Sequence, residues 1–391
     1  MRTTVSQRVA SIGRGAVVCA VFAVVASCRS GGLAERWPGA RAPEFAGATL
    51  LGGGRVERGR AVVSVSGLSL PRGEPGVVDS SWTGEAWFDE ALPWWNIECE
   101  PGSGARVMVR FVETDEQGRE VGGPTPWLGV GFVGDCAASV GAWVVEGPGV
   151  RIDVDYARFE RAGRRRAQVR VESPWGGVRI AAVGLALSAP GESPGHGATR
   201  DDEPVSPGAV RRLGVPFVSQ KTPREELAGR LCSPASVAMV LAYAGSACAV
   251  ERVAGAAYDP AHDLYGNWPR NTQAAFEISG RPARVARIGS WREAEALIER
   301  GVPIVASIQV REGELPEAPY AGTEGHLIVI TGFDANGDVH VNDPACADEV
   351  SGVRVYGRRG MTRVWLERTR GTAYVIEPGP GGPSWDDRHA E

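Results

Sequence analysis

Two kinds of apolar spacing divide the chain. Val150-Arg151-Ile152-Asp153-Val154-Asp155-Tyr156 alternates strictly between apolar and polar residues, the period of a single half-buried strand. Val107, Val109 and Phe111 fall on one face of a second strand, and Val169 and Val171 on one face of a third. Gly and Pro break such segments at intervals of roughly ten residues. Residues 45–188 therefore predict an all-β sandwich of jelly-roll-like kind.

Beyond residue 213 the spacing changes. Leu231 to Gly245 is apolar on nearly every side, which predicts a helix buried in a core. Pro234 suits its first turn and Gly245 a left-handed stop. Gly325 to Phe333 is a continuous apolar strand headed by His326. Asp334-Ala335-Asn336-Gly337 turns it back, and Asp338 to Pro344 returns as its partner. Ser290-Trp291-Arg292-Glu293 is a capping box opening a helix that Gly301 ends. Val302 to Ile308, Val353 to Tyr356 and Ala373 to Ile376 read as further strands. Residues 213–377 thus predict an α+β domain.

The segments outside these two regions lack such periodicity. Residues 189–208 are rich in Pro, Gly and Ser and read as a flexible linker, and 378–391 as a disordered tail. At the start, Arg2, Arg8 and Arg14 flank or precede an apolar run from Ala16 to Ala26, and no acidic residue occurs before Glu35. The run is too short to span a bilayer and suits a signal peptide. Its end, Val25-Ala26-Ser27-Cys28, looks like a bacterial lipobox, which makes 1–28 a lipoprotein-type signal and Cys28 the lipidated residue. The expected location is extracytoplasmic, lipid-anchored to a bacterial cell membrane.

A net charge of −5 with scattered basic residues excludes an electrostatic case for nucleic-acid binding. Seven cysteines in 391 residues are too few for a disulfide scaffold. Cys99 and Cys136 are the simplest pair in the β region. Eight of the 12 tryptophans precede residue 190. Trp82, Trp127 and Trp143 are expected to fill the core. Trp94 and Trp95, as strand neighbours, must face opposite ways, placing one near a surface or an interface. Exposed aromatics there would suit a cell-envelope polymer as a further partner.

The chemistry lies in the second region. Cys232 opens the apolar helix, where the helix dipole favours a thiolate. His326 heads the buried strand, and Asp343 closes the returning one at the same end. A carboxylate there can accept the imidazole Nδ1–H and leave Nε2 to the thiol. That order of groups suits attack on an acyl carbon. His340 in mid-strand, His262 in a loop and His196 in the linker are not expected to take part. No Cys/His cluster has metal-ligand spacing, and no cofactor is expected.

These residues carry a family resemblance. Val215-Pro216-Phe217-Val218-Ser219-Gln220, Leu231-Cys232-Ser233-Pro234, Gly266-Asn267-Trp268-Pro269, Gly313-Glu314-Leu315-Pro316, Gly325-His326-Leu327 and Val341-Asn342-Asp343-Pro344 together resemble the C39-like branch of the papain-like cysteine peptidases, in its exported lipoprotein form. The resemblance implies a papain-like fold for 213–377, with a peptide or protein as substrate. It assigns Cys232 as nucleophile, His326 as general base and acid, Asp343 as orienting residue and Gln220 as oxyanion-hole donor. Asn267 to Thr272 is a candidate cleft lining. Cys248 and Cys346 either form a disulfide bracing the site or leave a free thiol. The same triad would serve a cell-wall amide hydrolase or an acyl transferase, and a vestigial triad would leave a binding lipoprotein.

Overall fold

Strands dominate the first half of the chain because its apolar residues repeat every second position. The computed structural model describes residues 55–57, 60–63, 68–134, 144–189, 204–222, 224–227 and 229–377. The signal segment with Cys28, Cys136, Trp143, residues 190–203 with His196, and the tail lie outside the described residues. Among the described residues, no helix is long and apolar enough to cross a membrane.

Among the described residues the first sheet has 12 antiparallel strands. Its four long members are Ala86–Cys99, Gly104–Thr114, Tyr156–Ser173 and Val178–Ser188. Tyr156–Ser173 changes partners along its length. Residues from Ala157 to Arg165 pair with Ala86–Cys99, with an irregularity between Arg158 and Gly163, and those from Arg165 to Glu172 pair with Gly104–Thr114. Val107, Val109, Phe111, Val169 and Val171 all point into the resulting core. Phe88, Phe111 and Phe159 meet there with ring centroids 4.9–6.0 Å apart.

Two expectations for this region are corrected. Val150 to Tyr156 is not one strand. It breaks at Asp153 into a hairpin tip, with Val154 in the left-handed region at φ 64°. Trp82 and Trp127 are half-buried rather than core residues. Both rings lie against the Arg110 guanidinium, at 5.1 and 4.5 Å, and the Arg170 guanidinium lies 4.2 Å from Trp127. A flat cation–π contact uses the ring face without needing an apolar core. The more exposed indoles are Trp87 and Trp175.

The second sheet has seven strands, in the order Ala283–Arg287, Thr372–Ile376, Ile304–Val310, Thr323–Phe333, Val339–Asn342 and Val353–Tyr356, with Arg211–Arg212 also pairing Thr323–Phe333. Helix Cys232–Tyr243 packs on Thr323–Phe333, and Ser236 Oγ donates to Leu327 O at 3.1 Å. Trp291, at the start of helix Trp291–Glu299, stacks edge-on against Phe333 and Trp365. The capping box holds, because Ser290 Oγ accepts the Glu293 N–H.

All described residues fall within one unit, Phe45–Glu391. Strand Ala86–Cys99 has an unbroken buried run from Ala91 to Ile97, the signature of a strand covered on both faces. Trp95 faces the core of the first sheet, and Trp94 joins the core built around the second. Asn96 meets the backbone of Ala283 with both halves of its amide, at 2.8 and 3.0 Å. Gln273, on helix Trp268–Ser279, does the same to Ile97 at 2.7 and 3.0 Å. Ser206, read as part of the linker, donates its N–H to Glu295.

Candidate active site

Cys232 is the first residue of a 12-residue helix that has no side-chain cap before it. The orphan N–H groups of that first turn therefore point toward the thiol end. Ser233 is tied down from behind, its hydroxyl 2.9 Å from Tyr374 Oη. The helix stops at Tyr243, and Gly245 takes the left-handed conformation at φ 82°.

His326 lies in strand Thr323–Phe333, buried and paired in register with Ile308. On the other side Val329 pairs with Asn342. Continuing that register puts Asp343 beside Ile328, one pleat along from His326 and on the same face. The side chains close the gap: His326 Nε2 lies 2.8 Å from Asp343 Oδ1. This reverses the ring nitrogens expected from the sequence. With Nε2 occupied by the carboxylate, Nδ1 is the nitrogen left for the Cys232 sulfur. The diagonal offset explains the reversal, since it brings Asp343 to the far edge of the ring.

Asp343 is fully buried and surrounded by donors. Oδ1 also accepts the Ala345 N–H at 2.9 Å. Oδ2 accepts the hydroxyls of Tyr320 at 2.9 Å and Tyr356 at 2.7 Å. The Tyr320 ring stands edge-on to His326, centroids 5.1 Å apart. Neither tyrosine carries a signal in the sequence that marks it as a site residue. Tyr356 ends a strand whose register sets it opposite Val339. Tyr320 sits in a Pro-rich loop with no periodicity to read.

Burial and partners pull these groups in opposite directions. Burial alone would raise the Cys232 pKa, but the hydrogen bond and charge of His326, with the N–H groups of Leu327 and Ser233, bring it below the usual thiol value. Burial would lower that of His326, yet Asp343 and Cys232 raise it to about 10. Burial would raise that of Asp343, and His326, Tyr356 and the Ala345 N–H hold it down. The three groups favour a thiolate, an imidazolium and a carboxylate in line.

Gln220 lies beside the end of the Asp343 segment, its N–H donating to Pro344 O at 2.9 Å. Its side-chain Oε1 is buried without a partner. His262 pairs with Asp259, ring Nδ1 3.0 Å from Oδ2, and burial lowers the pKa of half-buried His340. The stretch Asn267 to Thr272 is largely internal, and its Asn267 and Arg270 line a cavity with Phe132, Asp259 and His262 that none of Cys232, His326 and Asp343 lines. Asn271 and Thr272 are fully buried, and Asn271 Nδ2 donates to Tyr265 O and Asn267 O. Those backbone bonds fix the start of helix Trp268–Ser279.

Cys248 and Cys346 are both free thiols, so no disulfide braces the site. Cys346 N–H bonds Asp343 O, near the start of the thiol helix, whereas Cys248 follows the far end of that helix. Twelve helical residues separate the ends by about 18 Å, and a disulfide needs Cα atoms within about 7 Å. The suggested pairing of Cys99 rests on Cys136, outside the described residues. No group of three His, Cys, Asp or Glu side chains among the described residues is placed to hold a metal ion.

Residues 212–373 match the model of the Peptidase_C39 like family. Three solved structures are similar to this chain. A C39-like peptidase from Bacillus anthracis is 19% identical, covering 46% of this chain and 99% of that one, with a TM-score of 0.34. A double glycine motif protease from an AMS/PCAT transporter, in complex with the leader peptide, is 22% identical over 45% of this chain and 98% of that one, with a TM-score of 0.30. The peptidase domain of Streptococcus ComA, a bi-functional ABC transporter, is 17% identical over 42% and 99%, with a TM-score of 0.29. No curated protein matches the chain.

Proposed function

We propose, from a chain whose residues 212–373 match the Peptidase_C39 like family, that this protein is a cysteine peptidase hydrolysing peptide bonds through Cys232, His326 and Asp343. One observation carries the reading. A thiol at a helix start meets an imidazole whose far nitrogen lies 2.8 Å from a buried carboxylate. A structural cysteine has no need of that line of groups.

In the proposed reaction the Cys232 thiolate adds to the substrate carbonyl carbon, and the carbonyl π electrons move to oxygen. The Cys232 N–H and the Gln220 side-chain amide are the proposed donors to that oxyanion. When the tetrahedral adduct collapses, the C–N bond breaks and the His326 imidazolium protonates the leaving amine. A thioester remains on Sγ. His326, now neutral, takes a proton from water as the water adds, and the thiolate leaves with the new carboxylate formed. Asp343 stays ionised throughout, stabilising the imidazolium and fixing its ring.

The test is labelling with a thiol-directed peptide electrophile. Wild-type protein should be labelled on Cys232 and hydrolyse a peptide panel, and Cys232→Ala should do neither. Label recovered on Cys248 or Cys346 would remove the reading. The proposed setting is extracytoplasmic and membrane-tethered, a reading supported by Val25-Ala26-Ser27-Cys28. Full-length protein should partition into detergent, and Cys28→Ser should stay in the aqueous phase. Equal partitioning would exclude lipidation of Cys28.

A further inference from the structure

The proposed mechanism uses one face of Asp343; the other face is built with equal care. Oδ2 is turned away from His326 and takes two phenolic hydroxyls, from different elements and from opposite directions in sequence. Tyr356 is fully buried on strand Val353–Tyr356, and Tyr320 is half-buried on a loop. The two hydroxyls also lie close enough to bond each other, but the ionised carboxylate is the stronger acceptor for both. Together with the Ala345 N–H, they leave the carboxylate one orientation in which every donor is met.

We propose that Tyr320 and Tyr356 are positioning residues, which hold Asp343 as an ionised carboxylate with Oδ1 turned to His326 Nε2. Hydrogen bonds to a charged acceptor are the strong ones, so two of them on the free oxygen oppose protonation of the acid. Around Asp343 the other titratable groups are His326, with Cys232 beyond it, and Cys346, whose N–H bonds Asp343 O. Arg354 faces Tyr356. His326 is the cation that Asp343 balances. If Asp343 accepts a proton at a higher pH, the imidazolium loses its anion at that pH, and the thiolate of Cys232 is lost with it.

Tyr320→Phe and Tyr356→Phe remove one hydroxyl each and keep the ring. The rate of Cys232 alkylation by iodoacetamide, followed by mass spectrometry of the intact protein, should be measured across pH. In Tyr356→Phe the midpoint for thiolate formation should move up by about half a pH unit or more, given the strength of such bonds. Tyr320→Phe should shift it less, because water can replace a hydroxyl at a half-buried site. Neither change should shift the midpoint further in an Asp343→Asn background. A uniform loss of rate with an unmoved midpoint, or the same shift in the Asn background, would overturn the proposal. If Tyr356→Phe fails to fold, the Tyr320→Phe comparison decides alone. The inference rests on the peptidase reading for its purpose but not for its readout. Shifted alkylation in a protein that cleaves no peptide would sink that reading and leave this one standing.

Discussion

Asp343 and Asp155 are both almost sealed from water, at 0% and 5% exposure, and their protonation is pushed in opposite directions. Asp343 collects His326, two phenols and a backbone N–H, and its pKa is lowered against burial. Asp155 sits at the hairpin tip of the first sheet, where its one donor from another element is the Trp268 N–H at 2.7 Å. Burial dominates there, Asp259 adds a like charge, and the pKa rises to about 7 despite the Trp268 N–H and nearby His262. The number and charge of donors, rather than depth, sets the sign. Donors are concentrated where the proposed chemistry needs an anion. At the junction of the sheets a carboxyl neutral below pH 7 suffices to cap a helix.

The largest effect should come from emptying the donor-rich site. Asp343→Ala should lower peptide hydrolysis by roughly 10²- to 10⁴-fold, and alkylation of Cys232 near pH 6 should slow markedly. If Asp343→Ala alkylated like wild type at that pH, the contrast between the two carboxyls would have no functional meaning.

The donor-poor site predicts a gain. A carboxyl whose pKa is about 7 when folded and near 3.8 when unfolded binds more protons in the native state between those values. It therefore costs stability increasingly as pH rises from about 4 to 7, with the full penalty above 7. Asp155→Asn keeps an acceptor for the Trp268 N–H and removes the charge. It should be more stable than wild type at pH 8, by up to about 4 kcal/mol, with the gain vanishing near pH 4. Chemical denaturation at both pH values checks this, and a loss at pH 8 would refute it.

Smaller still is the effect of the neighbour. Asp259→Asn removes the like charge facing Asp155 and should move the midpoint of its pH-dependent stability down by a fraction of a pH unit. A midpoint that moved up would mean His262, freed from Asp259, governs the pocket instead.

The sequence made much of the scaffold legible where a pattern is local. The helix opening at Cys232 and the apolar run from His326 onward are legible, although the strand itself begins at Thr323 and its return ends at Asn342, one residue before Asp343. The faces of Val107, Val109 and Phe111 follow from alternation alone. What could not be read depends on register and distant partners. A one-pleat offset decides which imidazole nitrogen meets Asp343, and no spacing rule contains it. Tyr320 reaches Asp343 from a loop 23 residues earlier. The alternation from Val150 to Tyr156 hides a hairpin tip at Asp153 and Val154, and the partner of Asp155 lies 113 residues away, at Trp268. Trp82 and Trp127 looked like core residues because hydrophobicity says nothing of a guanidinium between two rings.

The paired side-chain amides at the junction bear on how such a chain could be assembled from parts. Asn96 and Gln273 each offer a donor and an acceptor to a peptide group of the opposite sheet, acting as one-residue strands. A catalytic segment cut away from its β neighbour would expose the Ala283 edge and strand the Gln273 amide without its match. A piece that kept Cys232, His326 and Asp343 but not the strand around Asn96 would lose both matches, so the unit that packs together is larger than the unit that brings those three groups into line.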